Sequence, residues 1–298
     1  MAGPLIECVA NFSEGRDAAT VRAIEDAIAS SPGALVLRAE RDSDHNRSVI
    51  TFAGPPDAVA EAALRGIAVA VERIDLRRHR GVHPRMGAAD VVPFVPLEGA
   101  TLEDCVAIAR RTGEEVWKRL GVPVYFYEAA ATSPDRRPLE NGRRGGFEHP
   151  HIAPDLGGPA LHPSAGACLI GARKLLIAFN VNLQTGDVAV ARDIARKVRA
   201  SSGGMPFVKA LGLPLATRGL AQVSLNLTDF EQTPLHAVFD AVQREAAERG
   251  VAIAGSEIIG LVPKKALEDA AAHYLKSENF KSGLVLENRL REAQRALE

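Results

Sequence analysis

The sequence predicts an α+β fold built as two α/β sandwich subdomains, and three observations point there. In each half of the chain, strand-like alternation and helix-like spacing of apolar residues succeed one another in a roughly β-α-β-β-α-β order. A stretch at 133–166, dense in proline, glycine and arginine, has little periodicity and precedes the restart of regular pattern. The 298 residues also exceed a typical single domain and can bury a substantial core.

The elements follow in order. Leu5 to Val9 reads as a short buried strand. Asp17 to Ser30 reads as a helix with Val21, Ile24 and Ile28 on one face, ended by Pro32-Gly33. Ala34 to Ala39 and Ser48 to Phe52 read as strands joined by the polar loop Glu40–Arg47. Pro56 to Ile74 is a second helix and Asp90 to Val95 a strand. Thr101 caps a third helix, with Asp104 three residues on and Gly121 at its end, before the strand Val122 to Tyr127.

The second half restarts with the strand Lys174 to Leu183. There Phe179, Val181 and Leu183 alternate with Asn180 and Asn182, so one face is polar. A helix at 187–199 follows. Val223, Leu225 and Leu227 then alternate with Gln222, Ser224 and Asn226. Thr233-Pro234 starts a helix whose stripe is Leu235, Val238, Phe239, Val242 and Ala246, and Gly250 ends it. Val251 to Val262 is a strand, Pro263 opens a helix to about Tyr274, and the charged tail 276–298 reads as an exposed terminal helix. Both halves therefore have a ferredoxin-like βαββαβ character, with a division into residues 1–172 and 173–298.

Composition narrows the function. The formal net charge is −1, which argues against a general nucleic-acid binder. Cys8, Cys105 and Cys168 are far apart, so neither a disulfide framework nor a structural zinc site is expected. The start, MAGPLIECV, lacks the basic region of a signal peptide, and no apolar run approaches the roughly 18 residues of a membrane span. A soluble cytoplasmic protein is the expectation.

Residues 72–96, ERIDLRRHRGVHPRMGAADVVPFVP, carry the most chemistry. Five arginines and two histidines fall between Arg73 and Arg85, and an apolar strand follows. Gly81 and Pro84 flank His83 and exclude a helix interior. A histidine among cations, on a loop delivered by a strand, suits proton transfer beside an anionic substrate. A solvated basic loop is the plainer alternative.

The pattern H-x-G-x-H-P-R-M-G-x-x-D before an apolar strand resembles the signature of the formiminotransferase family, the folate-dependent glutamate formimidoyltransferases. It is carried by His79, Gly81, His83, Pro84, Arg85, Met86, Gly87 and Asp90. Four further blocks agree in the same order: ECVANFSEG from Glu7 to Gly15, Asn46-Arg47 before a strand, GARKLLIAFNVNL at 171–183 and LAQVSLNLTDFEQTPLH at 220–236. The agreement runs from about residue 5 to 275.

The resemblance implies transfer of the formimino group of N-formimino-L-glutamate to N5 of tetrahydrofolate, giving L-glutamate and 5-formiminotetrahydrofolate. It places tetrahydrofolate as co-substrate, without a metal, in a cleft or tunnel between the two subdomains of a homodimer. His83 matches the catalytic histidine, as general base and then general acid. Glu40 stands where the family usually has an aspartate that would orient the histidine or stabilise the amidine, with Asp42 and Asp44 in the same loop as alternatives. Arg47 and Arg85 are the candidates for gripping substrate carboxylates, and Asn11 and Ser13 for lining the site. Gly157, Gly158, His162, Ser164 and Gly166 lie in a segment matching the folate-contacting loop. Vertebrate relatives fuse a cyclodeaminase domain, so a separate cyclodeaminase acting downstream is implied if histidine breakdown is the pathway.

Other readings remain. His45, His79, His83, His149, His151 and His162 are numerous enough to suggest zinc, yet His79-x-x-x-His83 is interrupted by Gly81 and lacks helical metal-binding logic. A non-catalytic module binding folate, another anion or RNA is a second alternative, although aromatics are scarce and no RNA-stacking strand motif is present. Transfer of a formyl group from 5-formyltetrahydrofolate to glutamate would use the same histidine and pocket.

Overall fold

The computed structural model describes residues 3–43, 45–81, 85–215 and 218–295. The chain divides into two compact units, Met1–Lys174 and Leu175–Glu298.

The first unit opens with β1 (Ile6–Phe12), α1 (Ala18–Ala29), β2 (Leu35–Asp42), β3 (Arg47–Gly54), α2 (Pro56–Arg73) and β4 (Ala89–Pro96). These four strands lie in the order β2-β3-β1-β4, all pairs antiparallel. That arrangement is the βαββαβ core expected from the sequence. α3 (Leu102–Leu120), β5 (Val124–Glu128), the short α4 (Leu139–Gly142) and β6 (Cys168–Ala172) extend it. β6 inserts between β4 and β5, parallel to both, and makes the sheet six-stranded.

Local chemistry sets the helix ends. Asp17 caps α1 by accepting from the Ala19 amide, and Val21, Ile24 and Ile28 are buried on one stripe. Thr101 and Asp104 close a reciprocal capping box on α3, and Gly121 ends it in the left-handed conformation. The helices cover one face of the sheet. Ile6, Cys8, Ala10 and Phe12 of β1 point into that core with Ile50, Phe52, Val92 and Phe94. A smaller cluster, including Val91, Tyr125, Tyr127 and Leu169, lies on the opposite face. Leu139, Ile152 and Leu161 of the long 129–167 connection pack against it.

The second unit repeats the scheme with β7 (Ile177–Leu183), α5 (Val188–Val198), β8 (Val208–Leu215), β9 (Leu220–Leu227), α6 (Leu235–Glu248) and β10 (Ile253–Ile259). Its strand order is β10-β7-β9-β8, the counterpart of β4-β1-β3-β2. α7 (Lys264–Tyr274) and α8 (Leu286–Arg295) follow. The alternation read in the sequence sets the two faces. Phe179, Val181, Leu183, Val223, Leu225 and Leu227 are core, while Asn182 and Gln222 share the other face in direct register.

Two strands go beyond the sequence expectation, β6 and β8. In addition, β2 runs on to Asp42, so Glu40 lies inside a strand rather than in the connecting loop. Among the described residues no helix is long and apolar enough to cross a membrane.

Candidate functional site

The first unit gathers its chemistry where β1 ends, β3 begins and β4 begins. Antiparallel pairing of β1 with both neighbours forces these three strand ends together. The register between β1 and β4 slips at this point, because Asn11 faces Val91 while Phe12 faces Ala89. Asp90 is the extra residue, a β-bulge, and bulges re-aim side chains. Strict alternation would turn Asp90 towards the helices. The bulge lets its carboxylate reach the face that also carries Asn11 and Arg47.

Asp90 is fully buried. Its Oδ1 accepts from the Met86 amide at 2.7 Å and the Gly87 amide at 3.3 Å. Its Oδ2 accepts from Arg47 Nη1 at 2.8 Å and from Arg143 Nη2. Burial pushes this carboxyl up, but Arg143, Arg47 and the Met86 amide outweigh burial and hold it well below the usual carboxylate range. Arg47 also donates from Nε at 3.1 Å and Nη2 at 2.9 Å to Asn11 Oδ1. Burial, with Arg143 nearby, brings the Arg47 guanidinium down to about 10 against the pull of Asp90.

Asn46 joins a second knot. It holds the left-handed conformation with φ of 50°, which asparagine tolerates well. Its Oδ1 accepts from the Gly15 amide and its Nδ2 donates to the Arg80 carbonyl, both at 3.0 Å. Its own carbonyl lies 2.9 Å from His79 Nε2. A carbonyl only accepts, so His79 carries its proton on Nε2. His79 is thus a structural tie between the β2–β3 turn and the loop after α2. Burial lowers its pKa, against the opposing effect of the Asn46 carbonyl. Two signature glycines are explained by this packing. A Cβ on Gly15 would sit 2.2 Å from the Asp42 carbonyl oxygen, and one on Gly81 would sit 2.4 Å from that of His45.

The segment matched to folate contacts splits in two. The 162–166 turn lies beside the Asp90 cluster: Gly166 pairs with Gly87, and the His162 and Gly166 backbones bond each other in both directions at 2.9 Å. His162 Nδ1 accepts from the Ala165 amide at 3.0 Å, and the Ser164 carbonyl accepts from Leu76 at 2.8 Å. Gly157 and Gly158 lie elsewhere, against Trp117 and Pro154 respectively, next to the bridge from Leu156 to Val124.

Arg85 is already engaged. Its Nη2 donates to the Leu76 carbonyl at 3.1 Å and to Glu148 Oε1 at 2.8 Å. It lines a cavity of about 360 Å³ with Leu76 and Phe147 as apolar walls and His79, Arg80 and Glu148 as polar ones. Glu40 sits on β2 with its carboxylate 2.6 Å from Arg38. It faces Val49, which faces Asn11, so it shares the sheet face of Asn11 two strands away, roughly 10 Å across. His83 and Asp44 lie outside the described residues. The described neighbours of His83, Gly81 and Arg85, are both fixed by the contacts above.

Asp90 as a structural node, Asn46 and Arg143 are the residues that sequence reading passed over. Asp90 and Asn46 were visible as motif letters, whereas Arg143 was one arginine among several in an aperiodic stretch. Among the described residues no group of three or more His, Cys, Asp or Glu side chains is placed to hold a metal ion. The three cysteines are buried thiols, and burial raises all three.

In the second unit the polar sheet face is chained by amides. Gln222 Nε2 donates to Asn182 Oδ1 at 2.9 Å, and Asn182 Nδ2 donates to Glu257 Oε1 at 3.0 Å. Arg218 reaches the same carboxylate oxygen at 3.0 Å.

Comparison with known proteins adds what geometry cannot. Residues 5–173 match the formiminotransferase domain, N-terminal subdomain, and residues 178–297 match the formiminotransferase domain. A glutamate formimidoyltransferase from Thermoplasma acidophilum is 45% identical over 298 residues, covering 97% of this chain and 98% of the relative. One from Streptococcus pyogenes is 42% identical, covering 96% and 98%. The formimidoyltransferase-cyclodeaminase of Sus scrofa is 45% identical over 93% of this chain, which spans 53% of that longer protein.

Proposed function

The chain belongs to the formiminotransferase family, and from that premise we propose that it is a glutamate formimidoyltransferase. It moves the formimino group of N-formimino-L-glutamate to N5 of tetrahydrofolate, releasing L-glutamate and 5-formiminotetrahydrofolate. The observation that carries this reading is the end-to-end match, 98% of the Thermoplasma acidophilum glutamate formimidoyltransferase being covered at 45% identity.

The chemistry follows from the bonds. N5 of tetrahydrofolate attacks the amidine carbon, and a tetrahedral adduct forms as N5 gives up its proton. The carbon–nitrogen bond to glutamate then breaks, and the departing nitrogen takes a proton. His83 is assigned both transfers, because a histidine titrates near working pH. Glu40 is assigned to orient it or to stabilise the cationic amidine. Asn11, Arg47, Arg85 and the turn carrying His162, Ser164 and Gly166 are assigned to the substrates. Gly157 and Gly158 keep the same assignment at the far end of their segment, as a backbone edge for folate. The clustering of Asn11, Arg47 and the 162–166 turn around Asp90 supports a site there, since reaction partners must be held in fixed geometry. The division near residue 172 leaves His83 in the first subdomain. A cytoplasmic homodimer, with a separate cyclodeaminase acting on the product, completes the reading.

The test is release of L-glutamate from N-formimino-L-glutamate that depends on tetrahydrofolate, run beside loss of 5-formyltetrahydrofolate that depends on glutamate. Turnover in the first assay is expected. Turnover only in the second would replace the formimino reading by formyl transfer.

A further inference from the structure

We propose that Arg143 is an anchor for a glutamyl carboxylate and so a specificity-determining residue of the transfer, an inference that rests on the reading above.

Arg143 is the residue that ends α4. Its backbone is tied on both sides, its amide to the Leu139 carbonyl at 3.2 Å and its carbonyl to the Gly146 amide at 2.9 Å. Phe147 then donates to the Arg85 carbonyl at 3.0 Å, which seats this turn on the signature segment. The guanidinium is thereby carried onto the sheet face of Asn11 and Arg47, where its Nη2 meets Asp90 Oδ2.

Three features suit it to an incoming anion. Arg47 and Arg143, whose side chains are 11% and 15% exposed, converge on the same buried carboxylate oxygen of Asp90. The two cations also oppose each other: burial is the main cause of the lowered Arg47 pKa, and Arg143 adds to it. A carboxylate arriving at Arg143 would relieve that repulsion. Finally, Arg143 Nε is buried and meets no acceptor among the described residues. A buried N–H without an acceptor is costly, and a carboxylate can take such a donor together with a second one on the same fork.

Neighbouring arginines are placed differently. Arg136 holds Asp155 Oδ2 at 3.0 Å and the Ala153 carbonyl at 2.9 Å. Arg144 is exposed and turns to Asn141 Oδ1 at 3.3 Å. Arg85 Nε is likewise buried without an acceptor among the described residues, but Arg85 lines the separate cavity beside Phe147, where its Nη2 is tied to Glu148 and two backbone carbonyls, so it serves a different contact from Arg143. The carboxylate in question is carried by both substrates, the formiminoglutamate itself and the glutamyl tail of tetrahydrofolate.

The experiment measures KM for each substrate, with the other saturating, in the full chain and in Arg143→Lys and Arg143→Gln. Lysine keeps a positive charge on Asp90 but lacks the fork, so it decides the matter if the glutamine variant does not fold. Calorimetric titration with L-glutamate and with tetrahydrofolate is run in parallel. We expect KM for one substrate to rise by roughly 10- to 100-fold, as loss of a charged hydrogen bond implies, with kcat changed far less. The substrate affected names the source of the carboxylate. Unchanged KM for both, or a fall in kcat alone, overturns the assignment. If the unmodified chain turns over neither substrate pair, the proposed activity fails separately. Arg143 is then judged by the titrations: ligand binding that weakens in both variants upholds it, and binding unchanged by the substitutions, or none by the unmodified chain, ends it.

Discussion

Arg47 and Asp90 face each other across β1, with Arg47 Nη1 2.8 Å from the Oδ2 of a carboxylate that solvent does not reach. The pair exists because the bulge in β4 turns Asp90 out of the helix-covered core. Asp90→Asn would set an amide against two guanidiniums, and breaking a buried pair costs about 3–5 kcal/mol. Because the folded carboxyl titrates below its unfolded value, ionised Asp90 contributes stability that is complete above the unfolded pKa of about 3.9. That stability is lost as pH falls through the folded pKa. Denaturant melts of the native chain and of Asp90→Asn should therefore converge towards strongly acid pH. Parallel curves down to the lowest accessible pH would show that Asp90 contributes no ionised pairing.

His79 leads to a different pH dependence. It is buried, donates to the Asn46 carbonyl and has a lowered pKa, chiefly through burial. The neutral ring is the form the fold keeps. Its contribution is complete above the unfolded histidine value of about 6.5 and declines as pH falls towards the lower folded value. The melting temperature should drop as pH is lowered from neutrality, and His79→Gln should remove that part of the drop. An identical profile in the variant would mean that other groups set it.

Glu40 and His83 are expected to act as a unit. The Glu40–Arg38 pair has side chains 33% and 45% exposed, and such solvent-screened surface pairs contribute little to stability. Glu40→Gln should leave the melting temperature nearly unchanged while lowering kcat. His83→Ala should lower kcat by about 10²- to 10⁴-fold, with fold and folate affinity retained. If Glu40 acts through His83, the double variant should be little worse than His83→Ala alone. Fully multiplicative losses would separate the two residues and return attention to Asp42 and Asp44.

How far the sequence reached is clearest at particular residues. Asn180 and Asn182 alternating with Phe179 and Val181 marked the polar face of β7 directly, because that face is chemically different from the core face. Thr101, Asp104 and Gly121 marked both ends of α3, since capping is local chemistry. β6 offered no such signal. Its five residues are all buried, so neither face is polar and no alternation can appear. The bulge at Asp90 depends on register with β1, a long-range property that no window of sequence contains. Arg143 is inward and Arg144 outward, yet they are adjacent identical letters in an aperiodic stretch.

Gly81 tests whether the signature glycine serves packing or motion. The Cβ of an alanine there would lie 2.4 Å from the His45 carbonyl oxygen and 3.2 Å from the His79 ring. Backbone cannot yield cheaply at that distance, so the β2–β3 turn and the loop after α2 would have to part. The Asn46 bonds to Arg80 and His79 would then lengthen together. Gly81→Ala should cost about 1–3 kcal/mol, in the range of overpacked cores, and should lower kcat with it. Amide exchange should quicken at Gly15, whose donor is held by the Asn46 side chain. A variant with native stability and unchanged exchange at Gly15 would show that the two loops tolerate separation, and the packing account of this glycine would fall.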